Sequence, residues 1–416
     1  MKIAVPAEIR DGETRVAASP ETVKKLTGLG FDVAVEAGAG AGASITDRAF
    51  EDAGAQIVKG PGQAYDGADL VLKVRAPTPE ELRMMKPGAR LAGILGAYAE
   101  PDQVPAYASA NVDAFAMELV PRITRAQSMD VLSSQSNLAG YKAVVDAAAH
   151  MRRALPMMMT AAGTVPAAKC FVMGAGVAGL QAIATARRLG AVVSATDVRY
   201  AAKEQVESLG ATFVSVDEEA MKAAETEGGY AKEMGEDFQR RQREHVAEHL
   251  KKMDMVILTA LIPGRKAPTL VTADMVKGMP AGSVIVDLAV EAGGNCELSR
   301  PGEIVEADGV SIIGHRNMPG RLAANASALY AKNLLNFVQL IAKDGELAVD
   351  WDDEIVKGVG LTRDGRVVHP NFADAEPAAP EPAAEPAPEP AVEPEPANEP
   401  APPPNGAEAG GEPSQS

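Results

Sequence analysis

Five histidines, two cysteines and one tryptophan are spread over 416 residues, and each scarcity excludes something. Cys170 and Cys296 cannot build a disulfide framework, so a reducing compartment is expected. No run of 18 apolar residues occurs, so no helix is expected to span or insert into a bilayer. Met1-Lys-Ile-Ala-Val is already strand-like, and a signal peptide is not expected. Basic residues are outnumbered, giving a net charge of −17. Ten of the acids lie after Ala373, where there is no Lys or Arg, so the remaining body carries −7. Neither part suits nucleic acid or an anionic membrane surface. Histidine is too sparse to suggest a Ser–His–acid or Cys–His arrangement. His245 and His249 have i, i+4 spacing, but they sit in a polar charged helix with no third ligand. A solvated helix face is expected there, and no metal. His315 follows a strand, where it could line a cleft or lie on a surface loop.

What is present is a dinucleotide fingerprint. Lys169-Cys-Phe-Val-Met reads as a buried strand, Gly174, Gly176 and Gly179 form G-x-G-x-x-G, and Val177 opens a helix reaching Gly190. Ala191 to Thr196 reads as the next strand and ends on Asp197, 21 residues after Gly176. Gly174 permits the tight turn, Gly176 lets the backbone approach a pyrophosphate, and Gly179 lets helix and strand pack closely. The helix N-terminus offers free N–H groups and partial positive charge to phosphates. Asp197 stands where a carboxylate accepts both adenosine-ribose hydroxyls. A 2′-phosphate there would set two anions together, with Arg199 the only nearby basic relief, so NAD(H) is expected over NADP(H).

Strands alternate with helices, which argues for parallel sheets. The first set of strands is expected at 2–5, 32–36, 56–58, 69–74, 90–95 and 112–116, with helices near 20–29 and 47–53. A long helix over 134–155 crosses into a second set at 169–173, 192–196, 212–216, 255–259, 283–287 and 311–313. A helix over 323–342 then returns the chain. The expected fold class is α/β, with two Rossmann-like domains of parallel sheet flanked by helices and joined by long helices. The first domain comprises 1–133 and 325–371, and the NAD-binding domain 134–324. Residues 372–416, rich in Pro, Ala and Glu, are expected to be a disordered tail.

Three further stretches leave alternatives open. Pro121 to Gln135 gathers Arg122, Arg125, Gln127, Ser128, Asp130 and Ser133 between a strand and a helix. Asp130 or Ser133 can cap the helix, yet capping does not account for two arginines and a glutamine at the carboxyl end of a strand, where such folds bind ligands. Gly228 to Met234, with paired glycines and Tyr230, lies in a long connection from Asp217 to Met253. It can be a decorated crossover or a loop that closes over nucleotide. Gly38-Ala-Gly-Ala-Gly is expected to be a flexible turn rather than a phosphate site.

With these residues in view, the chain resembles the soluble NAD(H)-binding subunit (domain I) of bacterial proton-translocating nicotinamide nucleotide transhydrogenase, from Met1 to about Pro370. The carrying motifs are Arg15-Val-Ala-Ala-Ser-Pro-Glu, Pro121-Arg-Ile-Thr-Arg-Ala-Gln-Ser-Met-Asp, Met157-Met-Met-Thr-Ala-Ala-Gly-Thr-Val-Pro, the fingerprint with Asp197, Glu225-Thr-Glu-Gly-Gly-Tyr-Ala-Lys-Glu-Met, and Asp287-Leu-Ala-Val-Glu-Ala-Gly-Gly-Asn-Cys. The resemblance implies that Arg122, Gln127, Asp130 and Ser133 surround and orient the nicotinamide, and that Tyr230 tips a mobile loop. It also implies direct hydride transfer from NADH to NADP⁺ on a partner subunit. That transfer is coupled to inward proton movement through a membrane-spanning subunit. The subunit itself would be a homodimer docked on the cytoplasmic face of the bacterial inner membrane. Such transfer needs alignment and no general acid or base, which agrees with the missing triads.

More distantly, the chain is similar to alanine dehydrogenase, a stand-alone NAD-dependent enzyme. Arg15 and Lys73 match its keto-acid positions, although a lysine at a strand end is otherwise a solvated edge charge. The histidine that this rival requires within Leu91 to Tyr98 is absent, and Glu291 stands at its catalytic aspartate position.

Overall fold

A computed structural model describes residues 1–223, 235–262 and 264–373. Strands β1 (Lys2–Val5), β2 (Asp32–Glu36), β3 (Gln56–Val58), β4 (Leu70–Arg75), β5 (Arg90–Ile94) and β6 (Asp113–Ala116) form an all-parallel sheet in the order β3-β2-β1-β4-β5-β6. Their apolar runs are buried on both faces, as a parallel sheet under helices requires: Ile3, Ala4 and Val5 have no exposed surface. The strands lie where the sequence places them, to within one residue at each end.

After an exposed hairpin, β7 (Met158–Thr160) and β8 (Gly163–Val165), come β9 (Lys169–Met173), β10 (Val192–Thr196), β11 (Thr212–Phe213), β12 (Met255–Leu258), β13 (Val284–Asp287), β14 (Ile304–Ala307) and β15 (Val310–Ile313). The second sheet runs β11-β10-β9-β12-β13-β15-β14. It has seven strands where six are expected, because β14 pairs antiparallel with β15 at the edge. The signal was Asp308-Gly309 between the two runs. Both residues have positive φ, +49° and +80°, the backbone of a two-residue hairpin turn. The third strand is also shorter than expected, ending at Phe213.

The long helix runs from Val131 to His150, earlier at both ends than the sequence suggests. Asp130 accepts the Ser133 N–H at 2.9 Å and so begins the helix before Ser134. Beyond His150 the chain leaves the helix, and Arg153 pairs with Asp254, which also accepts the Lys169 N–H at 2.8 Å. Midway, a Cβ on Gly140 would stand 2.0 Å from the Ala178 carbonyl oxygen. Only glycine lets this helix cross the first turn of helix Val177–Arg188 in backbone contact.

The helix Ala323–Ile341 packs back on the first sheet. The Tyr330 hydroxyl donates to the Lys73 carbonyl at 2.7 Å, and the Phe337 ring lies 5.2 Å from Phe115. Farther on, the Leu361 N–H donates to the Ala114 carbonyl at 2.8 Å beside β6. Gly38 to Gly42 is a packed turn rather than a flexible one. The Gly38 N–H donates to Asp47, and side chains at Gly40 or Gly42 would meet Ile45 and Thr14 backbone at 2.6 Å.

Candidate nucleotide-binding site

The fingerprint turn lies at the carboxyl end of β9, at the centre of the second sheet, where the strand order reverses. In such sheets the crevice beyond the strand ends receives the ligand. Gly174 has φ +101°, and a Cβ there would meet Thr259 Oγ1 at 2.5 Å. A Cβ on Gly179 would come within 1.9 Å of the Gly174 oxygen, so the helix leans directly on the turn. Gly176, the residue before helix Val177–Arg188, has nothing within 4 Å of its missing Cβ. That open face beside the free N–H groups of a 12-residue helix fits a pyrophosphate.

Asp197 follows β10 with its side chain only 6% exposed. Its Oδ2 accepts the Ala175 N–H at 2.7 Å, within the turn itself. Its Oδ1 accepts the Arg199 N–H at 2.8 Å and Nε at 2.9 Å, while Arg199 Nη2 reaches Oδ2 at 3.0 Å. The structure therefore brings Gly174, Gly176, Val177, Gly179 and Asp197 to one edge.

In the polar loop, Arg122 and Gln127 are exposed. Asp130 caps the long helix, with Ser133 Oγ donating to Oδ2 at 2.5 Å in addition to the backbone bond. Capping thus accounts for Asp130 and Ser133 but not for Arg122 or Gln127. Arg125 serves the fold, pairing with Asp353 at 2.7 Å. Because the Asp130 helix crosses the fingerprint helix at Gly140, the loop is about 10 Å along the axis from that crossing. Tyr230 and the stretch from Gly228 to Met234 lie outside the described residues.

The sequence did not single out what fixes the opposite wall. Thr259 Oγ1 donates to the Gly174 carbonyl at 3.0 Å. The Asn295 amide accepts from Ala260 N at 2.9 Å and donates to the Ala260 and Pro268 carbonyls at 2.9 and 2.8 Å. Asn295 is held by fully buried Asp287, which accepts its N–H at 2.8 Å. Gly293 and Gly294, both at positive φ, were the available signal.

Bonds also join the two sheets' surroundings. Arg15 Nη1 donates to Gln135 at 2.8 Å, Asn317 Nδ2 to the Gly12 carbonyl at 3.0 Å, and Thr14 to the Gly320 carbonyl at 2.6 Å. Glu291 accepts the Asn317 N–H at 2.9 Å. Lys73 is not a solvated edge charge. It is buried, 2.6 Å from Glu81 and 3.5 Å from Glu8. Burial raises the Glu8 pKa against the pull of Lys73. Burial acts the same way on Glu13, but its bonds to Arg15 outweigh it and hold that carboxyl below the usual range. His249 is not on a solvated face either: its Nε2 lies 2.8 Å from Ser194 Oγ, and its ring meets Phe171 edge-on at 4.6 Å.

Models of the alanine dehydrogenase/PNT N-terminal and C-terminal domains match residues 4–139 and 143–370. The chain belongs to the alanine dehydrogenase/PNT family. Within it, the chain is 60% identical to an NAD(P) transhydrogenase alpha subunit of Rhodospirillum rubrum, over 89% of this chain and 98% of that one. The crystal structure of transhydrogenase from Sinorhizobium meliloti superposes with a TM-score of 0.81 at 55% identity, over 88% of this chain and 100% of that one. Alanine dehydrogenase of Halomonas elongata is 30% identical, over 90% of this chain and 96% of that one. The Rhodospirillum subunit thus shares about twice as many identical residues with this chain as that dehydrogenase does. Among the described residues, no helix is long and apolar enough to cross a membrane.

Proposed function

We propose that this chain is the NAD(H)-binding subunit of a proton-translocating NAD(P) transhydrogenase. The observation that carries the proposal is the open glycine turn with Asp197 beside it, in a chain 60% identical to a transhydrogenase alpha subunit. Gly174, Gly176, Val177, Gly179 and Asp197 hold the adenosine and pyrophosphate half of NAD(H). When bound, the dihydronicotinamide supplies a hydride to NADP⁺ carried by a partner subunit. Arg122, Gln127, Asp130 and Ser133 orient the nicotinamide, and Tyr230 belongs to a loop that covers it. No residue of this chain has to move a proton at the reacting carbon, so alignment is the whole catalytic task.

Proton translocation belongs to a separate membrane-spanning subunit, and this chain docks at the cytoplasmic face of the bacterial inner membrane. It works as a homodimer. The hairpin supports this, since Met157, Met158, Met159 and Val165 are all exposed, Met159 at 78%, and methionine-rich apolar surface suits a protein interface. Residues 1–133 with 325–371 form one domain, 134–324 the nucleotide domain, and 372–416 a tail with no catalytic role. The rival dehydrogenase activity has no imidazole between Leu91 and Tyr98 to serve it.

The test mixes the purified chain with an NADP(H)-binding partner domain and follows hydride exchange between NADH and NADP⁺. Exchange is expected only in the mixture, with no alanine-dependent reduction of NAD⁺ by the chain alone. Alanine turnover without the partner would overturn the proposal.

A further inference from the structure

Asp197 has no acceptor position left for a ribose. A carboxylate offers about four lone-pair positions. Here the Ala175 N–H and Arg199 Nη2 take two on Oδ2, and the Arg199 N–H and Nε take two on Oδ1. The two backbone donors belong to the turn and the strand end, so they stay. The two guanidinium donors sit on a long side chain that is 38% exposed. They occupy the outward positions that a vicinal diol would use. The same guanidinium also reaches the Ala175 carbonyl at 3.3 Å, so it lies along the turn rather than out in solvent.

We infer that Arg199 is a specificity-determining residue that competes with the adenosine ribose for Asp197. It keeps the nearly buried carboxylate paired while the site is empty, and NAD(H) binds by displacing it. Two consequences follow from charge. Part of the ribose's bonding energy goes into breaking the ion pair, so the dinucleotide is held more loosely than Asp197 alone would hold it. The displaced cation then lies beside the 2′ position, where it offsets repulsion between Asp197 and a 2′-phosphate. Arg199 therefore narrows the preference for NADH over NADPH that the acid sets.

This inference rests on Asp197 being the ribose acceptor, and calorimetry can separate the two. Arg199→Ala should bind NADH about 3- to 10-fold more tightly, a fraction of the roughly 10-fold or more carried by a charge-assisted bond, because water replaces the guanidinium. It should also widen the NADH/NADPH affinity ratio. Arg199→Gln, which keeps the side-chain length without the charge, guards against a folding defect in the alanine variant and should shift affinity the same way. In an Asp197→Ala background, Arg199→Ala should change NADH affinity little. NADH with a 2′-deoxyadenosine should gain less from Arg199→Ala than NADH does. If Asp197→Ala weakens NADH binding but both Arg199 variants bind it equally or less tightly than the parent, Arg199 merely supports the turn and the inference fails. If Asp197→Ala leaves NADH affinity unchanged, it is the ribose assignment that fails.

Discussion

The two parallel sheets share the order 3-2-1-4-5 through their first five strands, yet they differ at the turn after the first strand. In the second sheet that turn is Gly174-Ala175-Gly176, and in the first sheet the same three positions are Pro6-Ala7-Glu8. The middle residue behaves alike in both. The Ala175 N–H donates to Asp197 at 2.7 Å, and the Ala7 N–H donates to Glu36, at the end of β2, at 2.9 Å. The outer residues decide the outcome. Where Gly176 leaves an open face, Glu8 brings a carboxylate that accepts the Val74 N–H at 2.6 Å and faces buried Lys73. Negative protein charge thus fills the place where phosphates would lie. Strand order and a strand-end acid are shared scaffolding, and in the proposed function the glycine turn selects the sheet that holds a dinucleotide.

The largest effect is expected at Gly179. An alanine Cβ would sit 1.9 Å from the Gly174 oxygen, so turn and helix must separate. Overpacking of this kind costs about 1–3 kcal/mol, and NADH affinity should fall more than about 100-fold as the anion-binding helix end moves. Thermal unfolding and an NADH titration read the two losses, and a stable variant that binds like the parent would break the comparison.

Gln127→Asn should leave NADH binding nearly unchanged while slowing hydride transfer to partner-bound NADP⁺ by about 10- to 100-fold, since a misplacement of about 1 Å can cost about 100-fold. Stopped-flow mixing beside a binding titration separates rate from affinity. Equal losses in both would return the loop to helix capping alone.

Gly176→Ala sharpens the contrast with Gly179. Its Cβ meets no protein atom, so the melting temperature should hold while NADH affinity drops about tenfold through lost backbone approach. An unchanged affinity would remove the pyrophosphate from that face.

The smallest effect concerns Glu8. Burial raises its pKa in the folded chain, so the stability it contributes is full below its unfolded value near 4.5 and declines as pH rises through the folded value. Glu8→Gln should flatten that decline without touching NADH affinity. Melting temperatures across pH check this, and a parallel pH profile in both proteins would remove Glu8 as its source.

Much of this organisation was legible in the sequence because buried parallel strands are short apolar runs, and glycines mark turns by what they lack. The fingerprint residues came together for that reason. The sequence was less informative where contacts are long-range. His249 looks solvated beside Arg243 and Glu244, and only the packed sheet shows it against Ser194 and Phe171. Lys73 looks like an edge charge until Glu8 and Glu81 arrive from elsewhere. The start of the long helix depended on Asp130, whose capping and ligand-facing readings predict the same residue type. Edge strand β14 alternates between exposed and half-buried residues, so it lacks the continuous apolar run of its neighbours.

The most direct measurement is an NADH titration of the parent, Asp197→Ala and Glu36→Ala proteins by calorimetry. One NADH per chain is expected, weakened about tenfold or more in Asp197→Ala, the loss of a bond to a charged acceptor, and unchanged in Glu36→Ala. Two sites per chain, or a loss of affinity in Glu36→Ala matching that in Asp197→Ala, would contradict the claim that the glycine turn alone distinguishes the two sheets.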